Sequence, residues 1–381
     1  MKILVAPDSF KESLSAIQVA EAISMGVLKI IPNAEIIKTP ISDGGEGLLD
    51  ALVNDKNGKI IKVKVYDPLY RSIAAEYGIL NEGTTAVIEM AKASGLELLK
   101  EQEKNPYNTS SYGTGQLILD ALDRGCQKII IGIGGSATND GGMGMVKALG
   151  GKFINNEGVE LTEGGGALGE LSSINLTNFD KRISNCKIVV ACDVTNKLTG
   201  ENGASFVYGA QKGGSKEQLE FLDKNLEHYA AIIRNHLGIE IENINGAGAG
   251  GGMGAGLMAF LNAELKSGID LILETLEIKK HIKNIDLIIT GEGKIDKQTL
   301  QGKTILGIAA LAKEYHVPVI AITGKIGDNI DEIYKLGITS IFSIVNKPMK
   351  LEEAINDVEY LIQSCIETII RTIKLYESDK F

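Results

Sequence analysis

The chain has 381 residues, 44% hydrophobic and 23% charged, with a formal net charge of −10. That length exceeds the roughly 250–300 residues at which a single core stops growing, so two domains are expected. The acidic balance argues against nucleic acid or an anionic membrane as partner, since those surfaces require clustered Lys and Arg, and a small-molecule partner is expected instead.

The four cysteines, Cys126, Cys186, Cys192 and Cys365, lie far apart without a CxxC pair and read as reduced, buried thiols. The opening MKILVAPDSF has a four-residue apolar run cut by Pro7 and Asp8, too short for a secretory signal, so a cytoplasmic location is expected. The uncharged window from Ile244 to Asn262 approaches membrane-span length, but its glycines leave it too weakly apolar to span.

In chain order, Ile3 to Ala6 reads as a buried strand, and Ser15 with Gln18 has capping-box spacing. A helix therefore starts near Ser15, carries Ile17, Ala20, Ile23, Val27 and Ile31 at the 3.6 period, and ends at Pro32. A strand at 35–38 leads through SDGGEG into a helix from near Glu46. From Gly58 the pattern changes: KIIKVKVY at 59–66 alternates polar and apolar, the mark of a strand with one wet face and antiparallel neighbours. Strands at 72–80 and 85–91 follow without helices between them, then strands at 128–133 and 187–191 and helices near 115–124 and 215–236. Beyond Asn284 the first pattern resumes: strand 286–290, helix 304–315, strand 317–323, helix 328–336, strand 339–345 and one long helix over 351–376.

The expected fold is α/β with two domains. Residues 1–58 and 284–381 would form a discontinuous flavodoxin-like domain with a parallel five-stranded sheet built from both termini. Residues 59–283 would form an inserted second α/β domain with a mixed sheet. Two consecutive domains divided near Gly150 are the alternative, which leaves a two-strand fragment beside the wet strands.

Five strands run into loops rich in Asp and Gly: APDSFKES (6–13), ISDGGEG (41–47), GIGGSATNDGGMG (132–144), CDVTNKLTG (192–200) and TGEGKIDKQT (290–299). Each alone is an ordinary turn. Together they would bring Asp8, Asp43, Asp140, Asp193 and Asp296 to one cleft, where like charges repel unless a cation neutralises them. Mg²⁺ suits this, taking one or two carboxylates plus phosphate oxygens and water. GIGGSATNDGG can wrap a phosphate with backbone amides and open a helix near 142–149. The density of glycine in GAGAGGGMGAG disfavours a helix and suggests close approach to a ligand. Both glycine segments fit a dinucleotide pattern loosely, without the acidic residue about twenty positions on. QGKT at 301–304 fails as a P-loop, because Lys297 stands where the first glycine belongs. His228, His236, His281 and His316 lie outside these loops, so neither a zinc site nor a His-based triad is supported. Lys11 and Lys212, single lysines among acids and glycines, suggest phosphate or carboxylate ligands.

APDSFKESLSA, DGGEG, GIGGSATNDGG, CDVTN, YGAQKG, GAGAGGGMG and TGEGKID, in this order, closely resemble the bacterial type I glycerate kinases over essentially the whole chain. Tyr70, Lys197, Ala210 and Gly250 depart from the family pattern without removing a candidate acid or lysine. The resemblance implies ATP-dependent phosphorylation of D-glycerate with Mg²⁺ in a site between two α/β domains, and it leans towards 2-phosphoglycerate as product. Phosphoryl transfer needs positioning and charge neutralisation. Asp193 and Asp296 are therefore expected to serve the metal and the glycerate hydroxyl, one of them as base, with Lys11 stabilising the transferred group. Asp8, Ser9, Asp43, Gly44, Gly45, Gly134, Gly135, Ser136, Thr138, Asn139, Asp140, Thr195, Asn196, Lys212, Gly291, Glu292, Gly293 and Arg71 complete the candidates for binding substrate and phosphate. A homodimer is compatible with this reading. The rivals are a Rossmann-type NAD(P)-dependent oxidoreductase and a non-catalytic nucleotide or sugar-phosphate binding protein.

Overall fold

Ser15 accepts the amide of Gln18 at 3.3 Å, and Gln18 Oε1 accepts the amide of Ser15 at 2.9 Å, so the capping box starts the first helix where the sequence places it. The computed structural model describes residues 1–11, 13–41, 47–55, 58–80, 83–297, 299–300 and 304–377. The chain divides into two compact units, 1–43 with 50–55 and 268–381, and 44–49 with 56–267. The N-terminal stretch forms β1 (Lys2–Val5), α1 (Ala16–Ile30), β2 (Glu35–Lys38) and α2 (Leu48–Asp55).

The inserted unit opens with β3 (Lys59–Tyr66), β4 (Ser72–Leu80) and β5 (Thr85–Glu89), each antiparallel to the next. Lys59, Lys62 and Lys64 are exposed on β3, which is the sheet edge, and charge of this kind blunts an edge against further pairing. There follow α3 (Ala91–Ser94), α4 (Tyr112–Asp123), β6 (Lys128–Gly132), α5 (Met143–Ala148), β7 (Lys152–Ile154), β8 (Ser173–Asn175), β9 (Lys187–Ala191), α6 (Ala204–Tyr208), α7 (Lys216–Leu237), α8 (Ala249–Leu261) and β10 (Glu264–Lys266). The sheet runs β10-β9-β6-β5-β4-β3, with β5, β6, β9 and β10 parallel, and β7 and β8 form a separate ribbon. Ile129, Ile131, Ile188 and Val190 from the central strands pack with Leu117, Ile118, Leu226, Tyr229 and Phe260 from the helices.

The glycine run from Gly246 to Gly256, expected to approach a ligand, instead approaches its own chain and leads into α8. Gly250, Gly251 and Gly252 take left-handed φ of 64°, 71° and 87°. A Cβ on Gly251 would fall on the Thr138 carbonyl, and one on Gly256 on the Gly141 carbonyl. The glycines therefore let two backbone segments touch.

The C-terminal stretch adds α9 (Gly268–Thr275), α10 (Ile278–His281), β11 (Leu287–Ile295), α11 (Thr304–Glu314), β12 (Val319–Ile326), α12 (Asp331–Lys335), β13 (Ser340–Ser343), α13 (Leu351–Asn356) and α14 (Val358–Glu377). Its sheet is β13-β12-β11-β1-β2, all parallel. In order of appearance this is 2-1-3-4-5, the flavodoxin-like order. Ile3, Val5 and Ile289 pack against Val19, Ile23, Val27, Ile362 and Ile366 from α1 and α14. Two sequence expectations fail here. The expected loop GEGKI is strand, because β11 stays in register with β12 from Gly291↔Ile322 to Ile295↔Ile326. The expected single helix over 351–376 breaks at Asp357, which takes φ −96° and ψ 8° between α13 and α14. Among the described residues no helix is long and apolar enough to cross a membrane.

Candidate active site

In the terminal unit, β1 lies between β2 and β11, so the chain's crossovers diverge from β1 in opposite directions. Such a switch point leaves a crevice outside the carboxyl ends of the strands, where open α/β sheets bind ligands. The end of β1 is tied to β11 by Ala6 N–H to the Ile289 carbonyl, Asp8 N–H to the Gly291 carbonyl (each 2.8 Å), and Thr290 Oγ1 to the Ala6 carbonyl (2.7 Å). Asp8 Oδ1 accepts the Ser9 amide at 2.6 Å, which sets the turn carrying exposed Lys11.

Gly291, Glu292 and Gly293 lie on β11 itself. A Cβ on Gly291 would fall on the Ile322 carbonyl, so glycine there permits the close strand approach. Thr299 Oγ1 donates to Glu292 Oε1 at 2.7 Å and accepts the Asp296 amide at 3.1 Å, fixing Glu292 and the start of the following turn together. Asp296 also pairs with Lys294. Burial pushes the Glu292 carboxyl up to about 7; the Thr299 hydrogen bond opposes this, while the charges of Asp8 and Asp296 add to it. Thr299 has no place among the sequence candidates, although its position three residues after an aspartate is a turn signal that would have found it. Asp43, Gly44 and Gly45 lie outside the described residues.

In the inserted unit the loop after β6 is braced from within. Leu96 N–H donates to the Gly135 carbonyl at 2.8 Å, Ala137 N–H to the Ser94 carbonyl at 2.9 Å, and Thr109 Oγ1 to the Ala137 carbonyl at 2.8 Å. Gly135 is exposed with a left-handed φ of 67°, a conformation that turns consecutive amides in concave anion-binding loops. The N–H groups of Gly134, Gly135 and Ser136 donate to no backbone carbonyl among the described residues. Thr138 Oγ1 and Asn139 Oδ1 are buried without a hydrogen-bond partner, while Asn139 Nδ2 donates to Ser205 Oγ at 2.9 Å. Buried polar atoms without partners are uncommon and point to a missing ligand or solvent.

Asp140 is not the convergent surface charge expected of it. Fully buried, it accepts from Ser111 N–H and Oγ, each at 2.8 Å, and from the amides of Gly142 and Gly144 at 3.1 and 3.2 Å. It serves the loop's own backbone and the start of α5. Burial drives its carboxyl up and those donors hold it down. Lys212 is likewise internal, 2% exposed. Its ammonium donates to Ser136 Oγ at 2.8 Å and the Thr138 carbonyl at 2.7 Å. Burial pushes it down to about 7, with the Asp140 charge pulling the other way.

The loop after β9 leaves Asp193 half-buried and Thr195 exposed. Asn196 is consumed internally: its carbonyl accepts from Gly246 and Gly248, Nδ2 donates to the Asn202 carbonyl, and Oδ1 accepts Tyr208 Oη at 2.6 Å. Arg71 is also engaged within its own turn. Its Nε donates to Asp67 at 2.5 Å, Nη1 to Glu103 at 2.9 Å and Nη2 to the Leu98 carbonyl at 3.1 Å, beside Tyr70 at φ 60°.

The two units thus offer complementary chemistry. The β6 loop offers donors to an oxyanion in its open amides and the Thr138 hydroxyl, whereas the orphaned Asn139 Oδ1 is an acceptor and calls for a donor instead. In the terminal unit, burial and the nearby charges of Asp8 and Asp296 raise the Glu292 carboxyl to about 7, so negative charge is concentrated around it. Among the described residues no three His, Cys, Asp or Glu side chains are arranged to hold a metal by themselves.

Residues 3–374 match the sequence profile of the Glycerate kinase family. The chain belongs to the glycerate kinase family. It is 48% identical over 375 residues to "Glycerate kinase" of Bacillus subtilis (strain 168), covering 98% of each chain. It is 49% identical over 354 residues to "Glycerate 2-kinase" of Escherichia coli (strain K12), covering 93% of each. The crystal structure of a candidate glycerate kinase 2 from Salmonella typhimurium LT2 superposes with a TM-score of 0.90 at 44% identity, over 99% of each chain. The family and the two-sheet α/β fold expected from the motifs are both present, and the chain is an enzyme of this kinase class.

Proposed function

We propose that this glycerate kinase moves the terminal phosphoryl group of ATP to the 2-hydroxyl of D-glycerate, with Mg²⁺ as the metal. The observation that carries the phosphate reading is the β6 loop, where three consecutive amides are given to no described carbonyl. The choice of the 2-hydroxyl leans on the Escherichia coli relative named glycerate 2-kinase.

In this proposal Gly134, Gly135 and Ser136 cradle anionic oxygens, and Lys11 neutralises charge on the transferred group. Asp296 and Asp193 would hold Mg²⁺, which when bound supplies charge neutralisation on the phosphates, and one of the two receives the proton from the glycerate hydroxyl. Asp8 and Asp296 lie close enough to Glu292 for their charges to raise its carboxyl.

A coupled ADP-release assay across glycerate, glycolate, lactate and tartronate tests the substrate, and ³¹P NMR of the product distinguishes 2- from 3-phosphoglycerate. Turnover with D-glycerate and a 2-phosphoglycerate signal are expected. No ADP release, or binding of NAD(P)H in place of ATP, would overturn the reading. Asp193→Asn and Asp296→Asn should each lower kcat by about 10²-fold or more, the scale of losing one charge-stabilising group; near wild-type turnover in both would remove the metal and base roles.

A further inference from the structure

Taking an ammonium out of water is costly unless its hydrogens are used or its proton is lost. Lys212 bears that cost to make two bonds, one to the Thr138 carbonyl and one to Ser136 Oγ. The bond to the Thr138 carbonyl braces the loop, as Leu96 and Thr109 brace the Gly135 and Ala137 carbonyls. The bond to Ser136 has a different consequence. A hydroxyl carries one hydrogen, and when its oxygen accepts from an ammonium that hydrogen must turn away from the donor. A charge-assisted bond into the oxygen also makes the O–H a stronger donor, since hydrogen bonds in series polarise one another.

The backbone points the same way. In a trans peptide the C=O and the following N–H lie on opposite sides. With the Gly135 carbonyl bound to Leu96, the Ser136 N–H is directed away from that strap. Ser136, 6% exposed, is buried but adjoins exposed Gly135, and Lys212, 2% exposed, lies deeper.

We propose that Lys212 is a positioning residue which directs and polarises the Ser136 hydroxyl as the donor to an anionic oxygen of the substrates, without touching either substrate itself. The oxyanion belongs to a nucleotide phosphate or to the glycerate carboxylate. This rests on the phosphoryl-transfer reading above and departs from the sequence expectation that Lys212 is itself a ligand.

The test is a double-mutant cycle of Lys212→Met, Ser136→Ala and the double variant in the full chain, read as kcat and as separate KM values for ATP and D-glycerate. Each single variant should lower kcat/KM about 10²-fold, and Lys212→Met should cost little further once Ser136 is Ala. A rise in KM for ATP assigns the oxyanion to phosphate, and a rise for glycerate assigns it to the carboxylate. Full additivity, or a folded Lys212→Met enzyme with wild-type constants, would overturn the proposal. Should Lys212→Met fail to fold, Ser136→Ala with unchanged constants overturns it alone. Calorimetric titration of each substrate separates the two levels: absence of wild-type turnover sinks the functional reading, whereas unchanged substrate affinity in Ser136→Ala sinks the role of the hydroxyl.

Discussion

Glu292 carries a pH dependence whose sign follows from its surroundings. Its carboxyl is pushed from the ordinary 4.5 up to about 7. The folded chain therefore binds more protons than the unfolded one between those values, and stability falls across that interval. The contribution is complete below about pH 4.5 and is lost as pH rises through about 7. Glu292→Gln stays neutral, so its urea midpoint relative to wild type should rise between pH 4.5 and pH 8 in the absence of divalent ions; an offset that stays constant with pH would contradict this. The presence of an acidic residue beside Asp296 was legible in TGEGKID. Its perturbation was not, because the burial that raises it comes from the pairing of β1, β11 and β12, which are distant in sequence. Lys212 and Asp140 teach the same lesson: residue type marked both as ligands, and only packing shows that both are buried, Lys212 bonded to Ser136 and Thr138 and Asp140 to Ser111, Gly142 and Gly144.

The elements were legible where the signal is local. Ser15 with Gln18 and Ser215 with Gln218 both form capping boxes, and the helices start where those pairs lie. Glycines misled in both directions, since they read as breakers whether they serve a turn or a close contact. Gly291 and Gly293 sit in strand, and the run through Gly252 opens a helix. Gly251→Ala tests the contact role. It should cost about 1–2 kcal/mol for the left-handed backbone and more for the displaced Thr138 carbonyl, which a Cβ would meet directly. Gly158→Ala, at φ 80° with open space around it, should show the backbone cost alone. Urea midpoints with kcat/KM check this: Gly251→Ala should lose both stability and activity, Gly158→Ala stability only. Equal stability loss in the two variants would remove the steric argument.

At the scale of the molecule, the change from helix-alternating to wet-strand pattern near Gly58 and its return made the insertion readable from hydrophobic spacing, although the terminal unit resumes at Gly268, ahead of the expected Asn284. The strand order itself was a deduction from parallel-sheet rules. The terminal sheet depends on both chain ends. β1 pairs with β11 through Ile3↔Leu287 and Val5↔Ile289, and a two-stranded remnant is marginal in water. In a chain truncated after Ser267, amides of Ile3 to Val5 should exchange hydrogen at near-coil rates, while those of Ile129 to Ile131 stay protected. Retained protection at β1 would show that the N-terminal strands stand alone.

The packing of the first long helix on the last has a consequence for biosynthesis. Gly26 sits so close to Gln363 and Ile366 that a Cβ would meet both, and Lys29 bonds Glu367 at 2.7 Å. These partners leave the ribosome at opposite ends of translation. At about 5–20 residues per second, the nascent N-terminus waits on the order of tens of seconds for its mates. During that delay the apolar side of residues 16–30 is naked, which marks it as a place for trigger-type chaperones to hold and for premature aggregation to begin.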